Sequence, residues 1–187
     1  IHKIAPEDPS ALHLIAAIDQ ETEVKTGDIN YVRDVFDAAA EHFDRDLVGT
    51  LQYQVPQQIK RSLDALLEGG QSLDRVLDLG CGTGLVAEAI RSRCASLTGV
   101  DISSQMVAHA REKALYDHLD IASLEEHLDN ASSPYDAIIA ADVLMYVGDL
   151  EEVFAKVAQR LTESGLFIFS IELLAEPGFK LQSSGRF

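Results

Sequence analysis

VLDLGCGTG, residues 76–84, carries the strongest structural signal in the chain. It begins as an apolar strand interrupted by one acid, Asp78, and opens directly into Gly80, Gly82 and Gly84. Glycine is required where the backbone adopts a positive φ or where another group approaches it closely. Three alternating glycines exceed the needs of a tight turn. The stretch therefore predicts a buried strand followed by a ligand-binding turn.

Outward from this stretch, strands and helices alternate. Apolar runs predict strands at residues 75–79, 96–101, 118–122, 135–141 and 166–171, and helical periodicity predicts helices at 85–93, 104–115 and 150–161. Asp149 is the candidate N-cap of the last helix. Three helices precede the first strand, at residues 9–18, 31–43 and from 55 onward. This order predicts an α/β fold with a mostly parallel, doubly wound sheet covered by helices on both faces.

The position of the glycine turn suggests a cofactor site. In open parallel sheets, ligands bind beyond the carboxyl ends of the strands, where the strand order reverses. A nicotinamide dinucleotide is one alternative, because its fingerprint also uses a glycine turn and an acid about 20 residues later. That fingerprint places its third glycine where this chain has Leu85, and Gly84 comes one residue early. A carboxylate at Asp78 would also repel a pyrophosphate, whereas it would attract a ligand with a cationic part.

Composition limits the partners. The 187 residues suffice for one domain with a substantial core, and a net charge of -16 opposes binding to nucleic acid. No apolar run approaches the ~20 residues that span a bilayer, so no membrane partner is expected. The two cysteines, Cys81 and Cys94, fit a reduced, cytoplasmic protein. The chain begins at Ile1 without a methionine or a leader, so we expect it to be a piece of a longer protein.

Three motifs together resemble a known family. VLDLGCGTG and LTGVDIS are similar to the first two motifs of the class I, seven-strand methyltransferases that use S-adenosylmethionine, and YDAIIAADVLMYVGD, residues 135–149, is similar to their fourth strand and the loop after it. The resemblance extends over residues 55–171 and is more specific than a lone glycine turn. It implies a Rossmann-like sheet with strand order 3-2-1-4-5 and S-adenosylmethionine as cofactor, with S-adenosylhomocysteine as its product.

The resemblance also implies roles for the residues around the turn. Gly80, Cys81 and Gly82 would bring backbone against the methionine part of the cofactor. Asp78 would hold the turn and the ammonium group, directly or through water; the alternative is a buried carboxylate that only braces the turn. Asp101, at the end of the second strand, would accept both ribose hydroxyls.

Other residues would surround the ribose and the adenine. The alternative role for Asp101 is an N-cap of the following helix, for which Ser103 is the rival. Ile102 and Met106 suit the apolar flank of the adenine. Many relatives have an acid after the third strand that accepts the adenine amino group, and here Ser123 stands in its place.

The remaining candidates lie after the third and fourth strands. The Leu124 amide would donate to a ring nitrogen of the adenine, and Glu125 or Glu126 is an alternative partner for the amino group. Ala141 and Asp142 would lie beside the cofactor. The AADVLMY sequence here differs from the Asn-Pro-Pro-Tyr type that marks amino-methylating enzymes of DNA and amides, so nucleic-acid bases are unfavoured substrates.

The N-terminal block YVRDVFDAAAEHFDRDLVGTLQYQVP, residues 31–56, resembles that of bacterial methyltransferases often attached to tetratricopeptide repeats. It predicts a helical cap over residues 1–53 and a cofactor-binding core over 54–187. Tyr31 and Tyr53 are the candidate cap residues at the cofactor, with ordinary core packing as the alternative. Class I members end with a sixth and an antiparallel seventh strand. Because this chain stops at Phe187, we expect the core to be incomplete at its C-terminal end.

These features favour a methyltransferase that acts on a small molecule or, as a weaker candidate, on a protein side chain. Methyl transfer from a sulfonium needs no dedicated base, and no catalytic residue is assigned. The histidines show no metal-ligand spacing, so no metal is expected. The alternatives are a non-catalytic module that binds the cofactor and a nicotinamide-dependent oxidoreductase.

Overall fold

The computed structural model describes residues 8–19, 24–67, 71–173 and 180–187. Helices and strands follow one another in this order: α1 (Pro9–Asp19), α2 (Ile29–Ala39), α3 (Val55–Leu66), β1 (Leu73–Leu79), α4 (Leu85–Ile90), β2 (Cys94–Asp101), α5 (Ser104–Glu112), β3 (His118–Ile121), α6 (Leu124–Asn130), β4 (Tyr135–Ala140), α7 (Glu151–Arg160) and β5 (Leu161–Phe169). Short 3₁₀ turns occur at Ala40–His42, Arg91–Arg93 and Leu144–Tyr146, and a π-helical turn at Arg45–Thr50.

The five strands form one parallel sheet in the order β3-β2-β1-β4-β5, which confirms the expected order. β1 lies at the centre, where Asp78 is in register with Gly99 on β2 and Ile139 on β4. The strand order reverses at β1, between β2 and β4. The glycine turn that follows β1 therefore lies at the switch point, where open α/β sheets bind their ligands.

Apolar side chains cover both faces of the sheet. Successive residues of a strand point to opposite faces, and Val76 and Leu77 belong to different buried clusters. Val76 packs with Ile59 and Leu63 of α3 and with residues of α4. Leu77 packs with residues of α6 and α7, including Leu128. The central strands are thus buried from both sides, which explains their almost continuous apolar sequence.

Some boundaries differ from the sequence-based expectation. The second helix, expected over residues 31–43, begins at Ile29 because Asp28 caps it by accepting a hydrogen bond from the Tyr31 amide at 2.8 Å. It ends at Ala39, where the 3₁₀ turn Ala40–His42 follows. α7 has Leu150 at its N-cap position in place of Asp149, whose carboxylate still accepts from the Glu151 amide at 3.0 Å. β5, expected at residues 166–171, begins at Leu161 and ends at Phe169.

The N-terminal helices and the C-terminal segment pack beside the carboxyl ends of the strands. Residues 24–28 run antiparallel to the β4–α7 connection through a bridge between Thr26 and Gly148. The backbones approach closely there, since a Cβ on Gly148 would lie 2.3 Å from the Lys25 carbonyl oxygen. Phe187 reaches the same place, where its amide donates to the Met145 carbonyl at 2.7 Å. Among the described residues, every helix is too short or too polar to cross a membrane.

Candidate functional site

The glycine turn has the conformation that its sequence requires. Gly80, Gly82 and Gly84 have φ values of 69°, 53° and 91°. The amides of Gly80 and Cys81 both donate to the Val100 carbonyl, at 2.7 and 2.9 Å, which holds the start of the turn against β2. A Cβ on Gly82 would meet nothing closer than a ring carbon of Phe43 at 3.8 Å. This part of the turn is therefore open toward a ligand.

Asp101 links the turn to the end of β2. One carboxylate oxygen accepts from the Gly82 amide at 2.9 Å and the other from the Ser103 amide at 2.8 Å. The side chain is buried, and burial is the main cause that raises its pKa. Ser103 caps α5 by accepting from the Met106 amide at 3.0 Å. The capping role considered for Asp101 therefore belongs to Ser103, and Asp101 keeps lone pairs for a ligand.

Asp78 lies fully buried beneath the turn. The Tyr116 hydroxyl donates to its Oδ2 atom at 2.7 Å, whereas Oδ1 has no hydrogen-bond partner. Burial, the largest cause, raises the pKa of Asp78 to about 7 against the lowering effect of the Tyr116 hydrogen bond. Buried polar atoms are normally paired, so the unpaired oxygen indicates a donor that arrives with a ligand or with water.

A cavity of about 460 Å³ opens beside the turn at the carboxyl ends of the strands. Ten of the thirteen residues predicted to bind the cofactor line it: Gly80, Cys81, Gly82, Asp101, Ile102, Ser123, Leu124, Ala141, Asp142 and Tyr53. The other three lie elsewhere. Asp78 lies beneath the turn, Met106 is fully buried in α5, and Tyr31 is buried against His13, with ring centroids 4.4 Å apart.

Ser123 has a second role that the sequence reading did not assign. Its hydroxyl caps α6 by accepting from the Glu126 amide at 3.1 Å. Glu125 lines the cavity beside it, whereas Glu126 is exposed and is absent from the described lining. Of the two acids considered as partners of the adenine amino group, Glu125 is therefore the one placed at the cavity.

Aromatic residues of the N-terminal segment form one wall of the cavity. Phe36 contacts Tyr146 edge-on at 5.2 Å and Phe43 at 6.1 Å between ring centroids. Two carboxylates fasten this wall to the core. Asp37 accepts from the Ser103 hydroxyl at 2.5 Å, and Asp44 accepts from the Thr83 hydroxyl and from Lys113. The segment is therefore tied to α5 and to the glycine turn itself.

Asp142 lies on the wall opposite Asp101, directly after β4. Its φ of 54° is uncommon for a residue with a side chain and places it in the left-handed region. Its amide donates to the Ser170 hydroxyl at 2.7 Å, and that hydroxyl donates back to the carboxylate at 2.6 Å. Burial, the largest cause, raises the pKa of Tyr53, and the nearby Asp142 carboxylate raises it further. Strained backbone of this kind clusters at functional sites.

Acidic groups dominate the charge of the cavity wall. The described lining residues include one arginine, Arg186, which is paired with Glu172 at 2.8 Å. The lining carboxylates are those of Asp101, Glu125, Asp142, Asp149, Glu152 and Glu172. Such a wall favours a ligand that carries positive charge. In the described part of the chain, no group of three or more acidic, histidine or cysteine side chains is arranged to hold a metal ion.

Sequence reasoning missed three residues of this arrangement: Asp37, Asp44 and Tyr116. Each of them contacts a residue that is distant in the sequence. Asp37 lies 66 positions from Ser103, Asp44 lies 39 positions from Thr83, and Tyr116 lies 38 positions from Asp78. No local motif marks them, because an isolated acid on a polar helix face or a tyrosine in a connection is common. Gly99 was the one available signal for Tyr116: a glycine inside a buried strand indicates close approach by another group.

The strand order, the glycine turn at the switch point and an acid at the end of β2 define a Rossmann-like nucleoside-binding fold of the methyltransferase type. Residues 77–167 match the family model described as "Methyltransferase domain". These residues, just under half of the chain, therefore have the sequence of a methyltransferase domain, and the fold around them is that of the class I S-adenosylmethionine-dependent methyltransferases.

Individual relatives agree with this assignment. The chain is 34% identical over 106 residues to a ubiquinone biosynthesis O-methyltransferase of Alkalilimnicola ehrlichii, a match that covers 54% of this chain and 43% of the relative. It thus spans less than half of that protein's length.

Solved structures show the same fold. A structure described as a DhpI–SAH complex has a TM-score of 0.63 at 23% identity, covering 76% of this chain and 68% of that one. A S-adenosylmethionine-dependent methyltransferase of Clostridium acetobutylicum has a TM-score of 0.57 at 26% identity, covering 72% and 56%.

Proposed function

We propose that the chain is the cofactor-binding part of an enzyme that transfers a methyl group from S-adenosylmethionine to a small molecule. The observation that carries the proposal is the Gly82–Asp101 contact: the open glycine and the carboxylate of the next strand lie together on the wall of one cavity. The family assignment and the methyltransferase relatives support the same activity.

The cavity fits this cofactor in three respects. The open face of Gly82 allows backbone to approach the methionine part, and Asp101 retains acceptor positions for a ribose diol. The acidic wall suits a ligand with an ammonium and a sulfonium, and Asp78 leaves one buried oxygen without a partner. Ile102 and Leu124 supply apolar surface for the adenine, with Ser123 and Glu125 as the polar partners of its edge.

S-Adenosylmethionine supplies a methyl group that is already activated by the positive charge on sulfur. The protein therefore contributes mainly by holding the acceptor in line with that group, an effect worth up to ~7–11 kcal/mol in favourable cases. Phe36, Phe43 and Tyr146 form an apolar wall next to the turn that would limit the access of water to the bound cofactor. We infer that residues 1–53 act as a cap that closes this space.

The acceptor is proposed to be a small molecule because residues of the N-terminal segment and of the strand ends line the cavity on two sides. The name of the relative from Alkalilimnicola ehrlichii specifies O-methylation, so hydroxyl-bearing acceptors are the first to test. Nucleic acid is not proposed as an acceptor, because the chain has 31 acidic and 15 basic residues and its net negative charge opposes binding to phosphates.

Titration calorimetry with S-adenosylhomocysteine tests the cofactor assignment. We expect binding by the wild-type chain and a loss of at least tenfold in affinity in Asp101→Ala, with NADH giving no heat of binding. Transfer of radiolabel from S-adenosylmethionine to fractionated metabolites then tests turnover. Binding of NADH in place of the nucleoside would contradict the assignment, and nucleoside binding without transfer to any fraction would favour a non-catalytic module.

A further inference from the structure

A half-buried tyrosine lies beneath the glycine turn and does not line the cavity. Tyr116 belongs to the connection between α5 and β3, and its ring fills the space beside two glycines. A Cβ on Gly99 would lie 2.8 Å from the ring, and a Cβ on Gly84 would lie 3.1 Å from it. The ring is therefore wedged between β2 and the start of α4, which leaves its hydroxyl little freedom to turn.

This fixed hydroxyl determines how Asp78 presents its two oxygens. It donates to Oδ2 at 2.7 Å, so that oxygen has a partner, whereas Oδ1 is equally buried and has none. A buried carboxylate oxygen that lacks a donor is costly, and native structures retain such atoms where a ligand or water completes the pairing. The asymmetry indicates a position reserved for an incoming donor.

The charge of Asp78 reaches the cavity wall. Burial, the largest cause, raises the pKa of Cys81 and of Tyr53, and Asp78 raises both further; both side chains line the cavity. Only Leu79 separates Asp78 from the turn. A cationic group that lies against the turn is therefore close enough to interact with this carboxylate, directly or through one water.

We propose that Tyr116 is a positioning residue of the cofactor site, which holds Asp78 so that its free oxygen serves the ammonium group of the cofactor. Tyr116 does not touch the ligand; it acts through Asp78. The inference rests on the proposed cofactor, and it adds a residue from outside the motifs that define the family. If the inference is right, Tyr116 increases the affinity only of ligands that carry the amino-acid part of the cofactor.

Two ligands test this requirement on the folded chain. S-Adenosylhomocysteine carries the ammonium group, and 5′-methylthioadenosine has the same nucleoside without the amino-acid part. By calorimetry at pH 7.5, we expect Tyr116→Phe to weaken S-adenosylhomocysteine about fivefold or more and to leave 5′-methylthioadenosine within twofold of wild type. Tyr135→Phe is the control, because Tyr135 is also a hydrogen-bonded tyrosine outside the cavity, but its hydroxyl pairs with His127 and not with Asp78.

Asp78→Asn provides a second variant. It is expected to show the same selective loss, and adding Tyr116→Phe to it is expected to cause little further change, because Tyr116 acts through the carboxylate. Equal losses for both ligands, or no selective loss in either single variant, would overturn the inference while leaving the proposed function intact. Failure of wild type to bind either ligand would instead contradict the proposed function.

The pH dependence of binding separates positioning from packing. The titratable groups that influence Asp78 or that it influences are Tyr116, Asp101, Cys81, Cys94 and Tyr53. Wild-type affinity for S-adenosylhomocysteine is expected to rise between pH 5.5 and 8 as Asp78 ionises. Because the Tyr116 hydrogen bond lowers the pKa of Asp78, Tyr116→Phe should move the midpoint to higher pH. An unmoved midpoint would indicate that Tyr116 only fills space.

Discussion

At the scale of single residues, Asp78 couples the stability of the fold to pH. Burial raises its pKa from 3.8 to about 7, so between these values the folded chain holds a proton that the unfolded chain releases. The free energy of unfolding must therefore fall as pH rises from about 4 to 7 and lose this dependence above that range.

Replacing Asp78 by Asn should remove this contribution. We expect urea unfolding at pH 5, 6, 7 and 8 to show that the free energy of unfolding of the wild type, relative to that of the variant, decreases as pH rises. The decrease should be at most about 1.4 kcal/mol per pH unit. Asp101 also has a raised pKa but remains in both proteins, so the difference between the curves reports Asp78 together with its coupling to Asp101. Parallel curves would contradict the prediction.

Gly80 is a second residue whose identity the backbone dictates. Its φ is 69°, and a Cβ there would lie 2.2 Å from Cγ2 and 3.2 Å from Cβ of Val143. Val143 is β-branched and stiff, so it cannot swing aside. We expect Gly80→Ala to lower the free energy of unfolding by about 1–3 kcal/mol in urea titrations.

The control for this prediction is Gly49→Ala. A Cβ on Gly49 would meet nothing within 4 Å, so Ala is expected to be tolerated there. If the two variants unfolded at the same urea concentration as wild type, the steric argument at Gly80 would be wrong.

At the scale of elements, a side chain of α2, Asp37, forms hydrogen bonds to the start of α5. Asp37 accepts from the Ser103 hydroxyl at 2.5 Å and from the Gln105 amide at 3.3 Å, both at the N-terminus of α5. Negative charge at that end is favourable, so this contact helps to hold α2 against α5. Asp37→Ala should therefore release S-adenosylhomocysteine several times faster in stopped-flow displacement.

Asp34→Ala is the matched control on the same helix, because the Asp34 carboxylate contacts the exposed Ser10 hydroxyl and not the core. Its dissociation rate should match that of wild type. Equal acceleration in both variants would mean that α2 as a whole was destabilised and that the Asp37 contact has no particular role.

The same scale explains which elements the sequence predicted. β1, β2 and β4 are buried on both faces, so each is an apolar run that periodicity identifies. The predicted start of β5 was wrong because the first half of the strand contains the polar residues Thr162, Glu163 and Ser164. Polar residues are tolerated there because β5 lies at the edge of the sheet. Leu161 pairs with Tyr135 of β4, and the register then shifts, so that Leu166 pairs with Ala137; local preference does not predict this irregular start.

The site divides in a similar way. Gly80, Gly82 and Asp101 were predictable because the turn and the next strand end are local patterns with known spacing. Tyr116 and Asp37 were not, because packing of distant segments brings them to the site. The roles assigned to the cavity-lining residues remain predictions until a ligand is bound.

At the scale of the whole molecule, Phe187 joins segments from both ends of the described chain. It is buried with Ala17 of α1 and with Leu181, and its ring lies 3.1 Å from the position of a Cβ on Gly148 in the β4–α7 connection. Its amide also donates to Met145, a residue of the cavity wall. The ring therefore fastens α1 and the C-terminal segment to the side of the site.

Phe187→Ala should weaken this junction while leaving the sheet intact. Removing a buried phenyl ring costs about 3–5 kcal/mol in a well-packed core, and the full chain would then melt several degrees lower, at about 2–4 °C for each kcal/mol. Hydrogen exchange should rise in α1 before it rises in β1. The control is Ile18→Ala, which alters an α1 side chain that is 74% exposed and should leave the melting temperature unchanged. Uniform exchange across α1 and β1 would show that the junction and the sheet unfold as one unit.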